Sequence, residues 1–110
     1  MQIAVRIEDQ RTVVSVSGRL DSLSSTEFIA QFDGWLEAGP SRLILNFAGL
    51  EYLSSAGLRS IQMLSRRCRQ AGSGFCLCGL SPFVKDVLSL SGFDRALTVY
   101  GSVAEALAGD

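Results

Sequence analysis

Between Arg42 and Phe47 the chain is apolar on both sides of a strand pattern. Leu43, Leu45 and Phe47 share one face and Ile44 takes the other. A strand buried on both faces belongs in the middle of a sheet, with cover above and below. The longest amphipathic pattern of the chain follows, from about Ser55 to Ala71. Leu58, Ile61, Leu64, Cys68 and Ala71 repeat there at steps of three and four, the period of a helix lying on a core. A central strand leading into a long amphipathic helix is the first half of a parallel crossover. That pair restricts the chain to layered α/β folds.

The flanking segments extend the same pattern. Ile3, Val5 and Ile7 alternate with Gln2, Ala4 and Arg6, which predicts a half-buried strand. After the polar turn Glu8 to Arg11, a second strand runs from Thr12 to Ser17, with Val14 and Val16 opposite Val13, and Gly18 ends it. The short polar link makes the two an antiparallel hairpin. Ser24 and Glu27 have capping-box spacing before a helix whose face carries Phe28, Ile29, Phe32, Trp35 and Leu36, stopped by Gly39-Pro40. An aromatic stripe of this kind is core or a ligand box, and core is the expectation. The return to the central strand is long enough for a right-handed crossover.

Beyond Gly72-Ser73-Gly74, a strand from Phe75 to Cys78 leads to Ser81-Pro82, an N-cap with proline at the first helical position. Phe83, Val84, Val87 and Leu88 form a short helix ending near Gly92. A last strand covers Leu97 to Tyr100, and Ser102 and Glu105 repeat the capping-box spacing before a terminal helix with Val103, Ala106 and Leu107 inward. The order is β-β-α-β-α-β-α-β-α. It predicts one domain over residues 1–110, with a mixed sheet of about five strands and about four helices.

Composition removes several function classes. Ten basic and eleven acidic residues leave a net charge of -1, with no global basic excess for nucleic acid or anionic membrane. No apolar run approaches the ~18 residues of a membrane span. The N-terminus begins at once as alternating strand, without the pattern of a signal sequence. A cytoplasmic location is expected. The absence of histidine excludes Ser-His-Asp and Cys-His catalysis within the chain. Cys68, Cys76 and Cys78 are too few for a closed Cys-only zinc site, so buried free thiols are expected, with Cys76 and Cys78 on one strand face. No metal or cofactor is expected. Arg59, Arg66, Arg67 and Arg69 lie mostly off the apolar stripe of the long helix, as a solvated face or a partner-binding one.

Ser54 and Ser55 fall where strand hands over to that helix. Free backbone N–H groups and the positive dipole end are found there. Three readings compete. Ser54 caps the helix, with Gly57 packing closely on the sheet; or a serine is a nucleophile; or a serine accepts phosphate. The nucleophile reading lacks a base. The motif is not Gly-x-Ser-x-Gly, there is no histidine, and the only lysine is Lys85. The chain is therefore not expected to be an enzyme. A phosphoserine adds about -1.5 to -2 charge, which a helix start tolerates and an interface does not.

The segment Leu45 to Leu58, and above all Leu53-Ser54-Ser55-Ala56-Gly57-Leu58, resembles the STAS domain family of the anti-sigma factor antagonist type. Val16-Ser17-Gly18-Arg19-Leu20-Asp21 is similar to the family's Gly-x-Leu-Asp after the second strand, and Leu88 to Phe93 to its later helix end. The resemblance covers essentially the whole chain. It implies a STAS fold and a binding switch. The partner would be an anti-sigma factor, often itself a serine kinase of the histidine-kinase-like ATPase type. Ser55 would be the phosphoacceptor, with Ser54 as a second candidate. A metal-dependent serine phosphatase would reverse the modification. Asp21, Ser22, Ser54, Ser55, Ala56, Gly57 and Arg59 would form the partner surface. Separately from the resemblance, a monomer is the default for a domain whose sequence shows no strongly patterned exposed apolar surface. The family's acid before the acceptor is Ser54 here, and its strand-end aspartate is Asn46, which implies a less acidic acceptor site. The same family also implies alternatives: a subunit stabilising or regulating a membrane transport complex, or a scaffold domain in a signalling assembly.

Overall fold

The computed structural model describes residues 1–109. Five strands form one sheet in sequence order: β1 (Gln2–Glu8), β2 (Arg11–Leu20), β3 (Arg42–Leu53), β4 (Gly74–Cys78) and β5 (Thr98–Tyr100). β1 and β2 are antiparallel and every later pairing is parallel. β3 is central, as its two apolar faces require. Asp9 and Gln10 turn the hairpin with φ of 50° and 65°. Positive φ at both residues matches the twist of a two-residue hairpin.

The two sheet faces carry separate cores. Val14, Val16, Leu43, Leu45, Phe47 and Leu77 point to the face covered by α1 (Ser25–Ala30), α2 (Phe32–Glu37), α3 (Ser55–Gln70) and α4 (Pro82–Ser91). Val13, Ile44, Cys76 and Cys78 point to the other face, under α5 (Val103–Ala108). Buried Arg42 holds α5 down, donating to the carbonyls of Ala106 and, at 3.1 Å, Gly109, while Arg11 donates to that of Leu107. Cations at the last carbonyls of a helix meet its negative dipole end.

Four local expectations are corrected. The single first helix is two, because Gln31 takes a tight turn in which its N–H reaches Phe28 O at 3.2 Å. The aromatic stripe survives the break as core: Phe28, Phe32 and Trp35 are buried with ring centroids 5.0 to 5.7 Å apart. Ser24 does not cap α1; its hydroxyl is engaged in the preceding loop. β2 and β3 do not stop at Gly18 and Phe47 but run on, paired, to Leu20 and Leu53. β3 gains a residue on β2 twice along the way, between Ser15 and Ser17 and between Gly18 and Arg19. Gly18, at φ +87°, and Gly49, where a Cβ would lie 2.8 Å from Ser17 Cβ, make these irregularities possible. Finally, β1 is half-buried only at Ile3, which packs against the helix-side core. The helices stop short of the rest, leaving Val5 47% and Ile7 64% exposed. A 3-10 turn, Phe93–Ala96, precedes β5.

Candidate functional site

The long β2–β3 pairing decides where the site lies. It carries Leu20 and Leu53 side by side to the same end of the sheet, where β2 leaves for α1 and β3 enters α3. Ser54 N–H donates to Leu20 O at 3.0 Å. Gly57 then packs against the same carbonyl: a Cβ there would lie 2.4 Å from Leu20 O and 2.8 Å from Leu53 Cδ1. Only glycine permits this approach. The Asp21 loop and the start of α3 are thereby fixed as neighbours.

Ser54 is the N-cap, in extended conformation, its Oγ accepting from Gly57 N–H at 3.2 Å. Ser55 is the first helical residue and is exposed. The two hydroxyls are divided as the capping spacing predicts, leaving that of Ser55 outside the cap. Ala56 is half-buried and Arg59 exposed, one turn further along α3. Gly57 is buried, which corrects its expected place on the partner surface: it lies beneath the patch and positions it.

Asp21 organises the neighbouring loop. Its Oδ1 accepts from Leu23 N–H at 3.0 Å and Ser24 N–H at 3.1 Å, while Ser24 Oγ accepts from Asp21 N–H at 3.0 Å and donates to Arg19 O at 2.8 Å. The Ser24 N–H bond first, then those from Leu23 N–H and the Ser24 hydroxyl and the charge of Arg19, hold the Asp21 carboxyl below its ordinary range and together outweigh the opposing cost of desolvation. Arg19 Nε lies 3.5 Å from Asp21 Oδ2. Ser22 and Leu23 project from this loop, Leu23 at 90% exposure.

The structure adds a feature that the sequence patterns did not bring out. The Arg19 guanidinium sits 4.1 Å above the Tyr52 ring, whose other neighbour is Phe83, stacked at 5.7 Å with an interplanar angle of 20°. Helical periodicity places Phe83 on the inner face of α4. It is 47% exposed instead, at the start of that helix, and Val84 and Leu88 supply the buried positions. A clue lay in its place directly after Ser81-Pro82, in the first turn. Asn46, in contrast, is not beside Ser55. It pairs with Ser15, five residues back along β2 from Leu20, roughly 16 Å at strand rise. There its Nδ2 donates to Ser15 Oγ at 3.1 Å and its Oδ1 accepts from Ala48 N–H at 3.1 Å. Its amide is a polar link between β2 and β3, so of Asn46 and Ser54 only Ser54 adjoins Ser55.

Cys68, Cys76 and Cys78 are free and buried. Desolvation raises all three thiols, Cys68 and Cys78 to about 11. They are protonated at neutral pH and poor nucleophiles. Among the described residues no three or more His, Cys, Asp or Glu gather as a metal site, and no helix is long and apolar enough to cross a membrane.

The STAS domain model matches residues 2–106, and the chain belongs to that family. Its relatives include BtrV of Bordetella bronchiseptica, provisionally named an anti-sigma factor antagonist and 29% identical over 108 residues, covering 98% of this chain and 93% of BtrV. An anti-sigma factor antagonist from Mycobacterium paratuberculosis has the same fold, with a TM-score of 0.89 at 23% identity over 97% of this chain and 91% of that one. The Bacillus cell fate determinant SpoIIAA, solved in its phosphorylated form, superposes with a TM-score of 0.75 at 19% identity over 97% of each chain.

Proposed function

We propose that this protein is an anti-sigma factor antagonist switched by phosphorylation of Ser55. The observation that carries the reading is the division of labour at the start of α3. Ser54 satisfies the helix, and the adjacent exposed hydroxyl of Ser55 is left for chemistry at little cost to the fold. The partner surface comprises Asp21, Ser22, Ser54, Ser55, Ala56 and Arg59, extended by Leu23 and by the Arg19–Tyr52–Phe83 stack. Aromatic and arginine side chains of this kind are the usual anchors of an interface.

The partner is an anti-sigma factor that is itself a histidine-kinase-like ATPase. It transfers the γ-phosphoryl group of ATP to Ser55 Oγ, leaving ADP and releasing the hydroxyl proton. A metal-dependent phosphatase later hydrolyses the ester to serine and inorganic phosphate. In the bound state, one added negative charge ~4 Å from a partner carboxylate, at an effective dielectric of ~20, costs about 4 kcal/mol. That is roughly a thousandfold in affinity. The dephosphorylated form sequesters the kinase and frees its sigma factor; the phosphorylated form lets go.

The test pairs phosphosite mapping with binding. Incubation with candidate histidine-kinase-like ATPases and ATP, followed by mass spectrometry, is expected to place phosphate on Ser55. Ser55→Asp should lose the partner and Ser55→Ala keep it. A tightly binding kinase that modifies neither Ser55 nor Ser54, or equal binding of both variants, overturns the proposal.

A further inference from the structure

The outer edge of the sheet carries the strongest feature that the Ser55 patch does not use. β1 is seven residues long, pairs only with β2, and has no proline, lysine or bulge along it. Those are among the devices by which edge strands normally avoid a partner, and the strand's two charges, Arg6 and Glu8, are paired with each other at 3.6 Å. The opposite edge is blunted: β5 has only three residues. In the hairpin, the Glu8–Arg11 pair closes a two-residue turn and is the hydrogen-bonded kind. Counting back, Gln2, Ala4 and Arg6 also bond to β2. Ile3, Val5 and Ile7 therefore direct their N–H and C=O groups to the open edge. Their side chains line one face, where Val5 and Ile7 are 47% and 64% exposed.

The self-complementary register that pairs the whole of this strand is centred on Val5. With a two-fold axis at Val5, an antiparallel second strand sets Val5 against Val5, Ile3 against Ile7 and Ile7 against Ile3, an apolar ladder on the helix side. On the other face Gln2 meets Glu8 and Ala4 meets Arg6, so no like charges oppose each other. Each hydrogen-bonded pair exchanges two bonds, so the three pairs supply about six. An axis at Arg6 would oppose two guanidiniums. An axis at Ile7 would set Val5 against Asp9, a turn residue with φ 50° that cannot extend a strand.

We propose that β1 pairs antiparallel with β1 of a second copy of this chain, centred on Val5, joining two five-stranded sheets into one of ten strands. The edge lies on the far side of β2 from α3, so both Ser55 patches stay open, and the proposal stands or falls independently of the switch. A strand-edge contact is at the small end of interface sizes, so association is weak and concentration-dependent.

Sedimentation equilibrium tests it on the full chain. The apparent mass is expected to climb from 11.8 kDa towards twice that value as concentration rises into the millimolar range. Ile7→Lys, which puts a charge into the apolar ladder, should hold it at the monomer value. So should Val5→Pro, which removes only an outward N–H and leaves the β1–β2 ladder intact; circular dichroism checks that each variant is folded. The register is read with Val5→Cys, since the native thiols are buried. The two introduced thiols then sit on directly opposed residues of a hydrogen-bonded pair, with Cα atoms ~5.5 Å apart, within disulfide reach. Mild oxidation should crosslink Val5→Cys into dimers and leave Ile7→Cys monomeric. A wild-type mass fixed at 11.8 kDa, a dimer untouched by both edge variants, or crosslinking of Ile7→Cys without that of Val5→Cys overturns the proposal.

Discussion

Two helices of this protein start in the same way and differ in what the start can do. α3 is capped by Ser54, which accepts from Gly57 N–H at 3.2 Å; α4 is capped by Ser81, which accepts from Val84 N–H at 3.2 Å. The local chemistry is equal. At α4 the next residues are Pro82, with no hydroxyl, and Phe83, stacked on Tyr52. At α3 they are exposed Ser55 and half-buried Ala56 above a glycine wedged against Leu20. A cap by itself thus says nothing about function. A helix start becomes addressable when a second hydroxyl is left over and the tertiary fold sets a loop such as that of Asp21 beside it.

The largest stability effect expected at these two starts is that of Gly57→Ala. The new methyl would meet Leu20 O and Leu53 Cδ1 inside contact distance. A loss of about 2–3 kcal/mol in urea unfolding is expected. Gly34→Ala in α2, where a Cβ meets nothing within 4 Å, should instead gain about 0.5–1 kcal/mol. A neutral Gly57→Ala would show that close approach does not set the α3 start apart.

Next come the caps. Ser54→Ala and Ser81→Ala should each cost about 1 kcal/mol, and Ser54→Asp should stay within about 1 kcal/mol of wild type, because both residues cap well. Unequal alanine costs would break the equivalence of the two starts. A large loss in Ser54→Asp would show a further structural role for Ser54.

The smallest effect concerns Asp21. Its carboxyl is lowered in the folded state, so its contribution to stability is present above the unfolded carboxylate range, near pH ~4, and is lost as pH falls through the lower folded value. Asp21→Asn should remove that part of the acid dependence of the melting temperature while leaving it unchanged in slope above neutrality. An identical acid profile in the variant would show that the loop does not depend on the charge. On the thiol side, burial predicts that Cys68, Cys76 and Cys78 resist a thiol reagent at neutral pH and all react on unfolding.

Much of this was legible in the chain. The strand, turn and helix patterns place the five strands, the caps of α3, α4 and α5, and the serine pair at the strand-to-helix junction, because hydrophobic period and capping chemistry act over a few residues. The misreadings share a cause. Gly18 and the Ala48–Gly49 stretch read as strand ends, yet bulged pairing between distant strands carries both through. Ser24-x-x-Glu27 reads as a capping box, yet the carboxylate of Asp21 and the carbonyl of Arg19 engage Ser24 first. Phe83 reads as core, yet Tyr52 lies within stacking distance outside it.

By itself, then, the sequence determined the fold class and which of two serines caps α3, since these follow from spacing along one segment. Only the tertiary structure decided that Leu20 and Leu53 end together, that Arg19, Tyr52 and Phe83 stack on one another, and that most of β1 is left uncovered by the helices. Those depend on registers between segments far apart in the chain, which pattern along a single strand or helix does not encode.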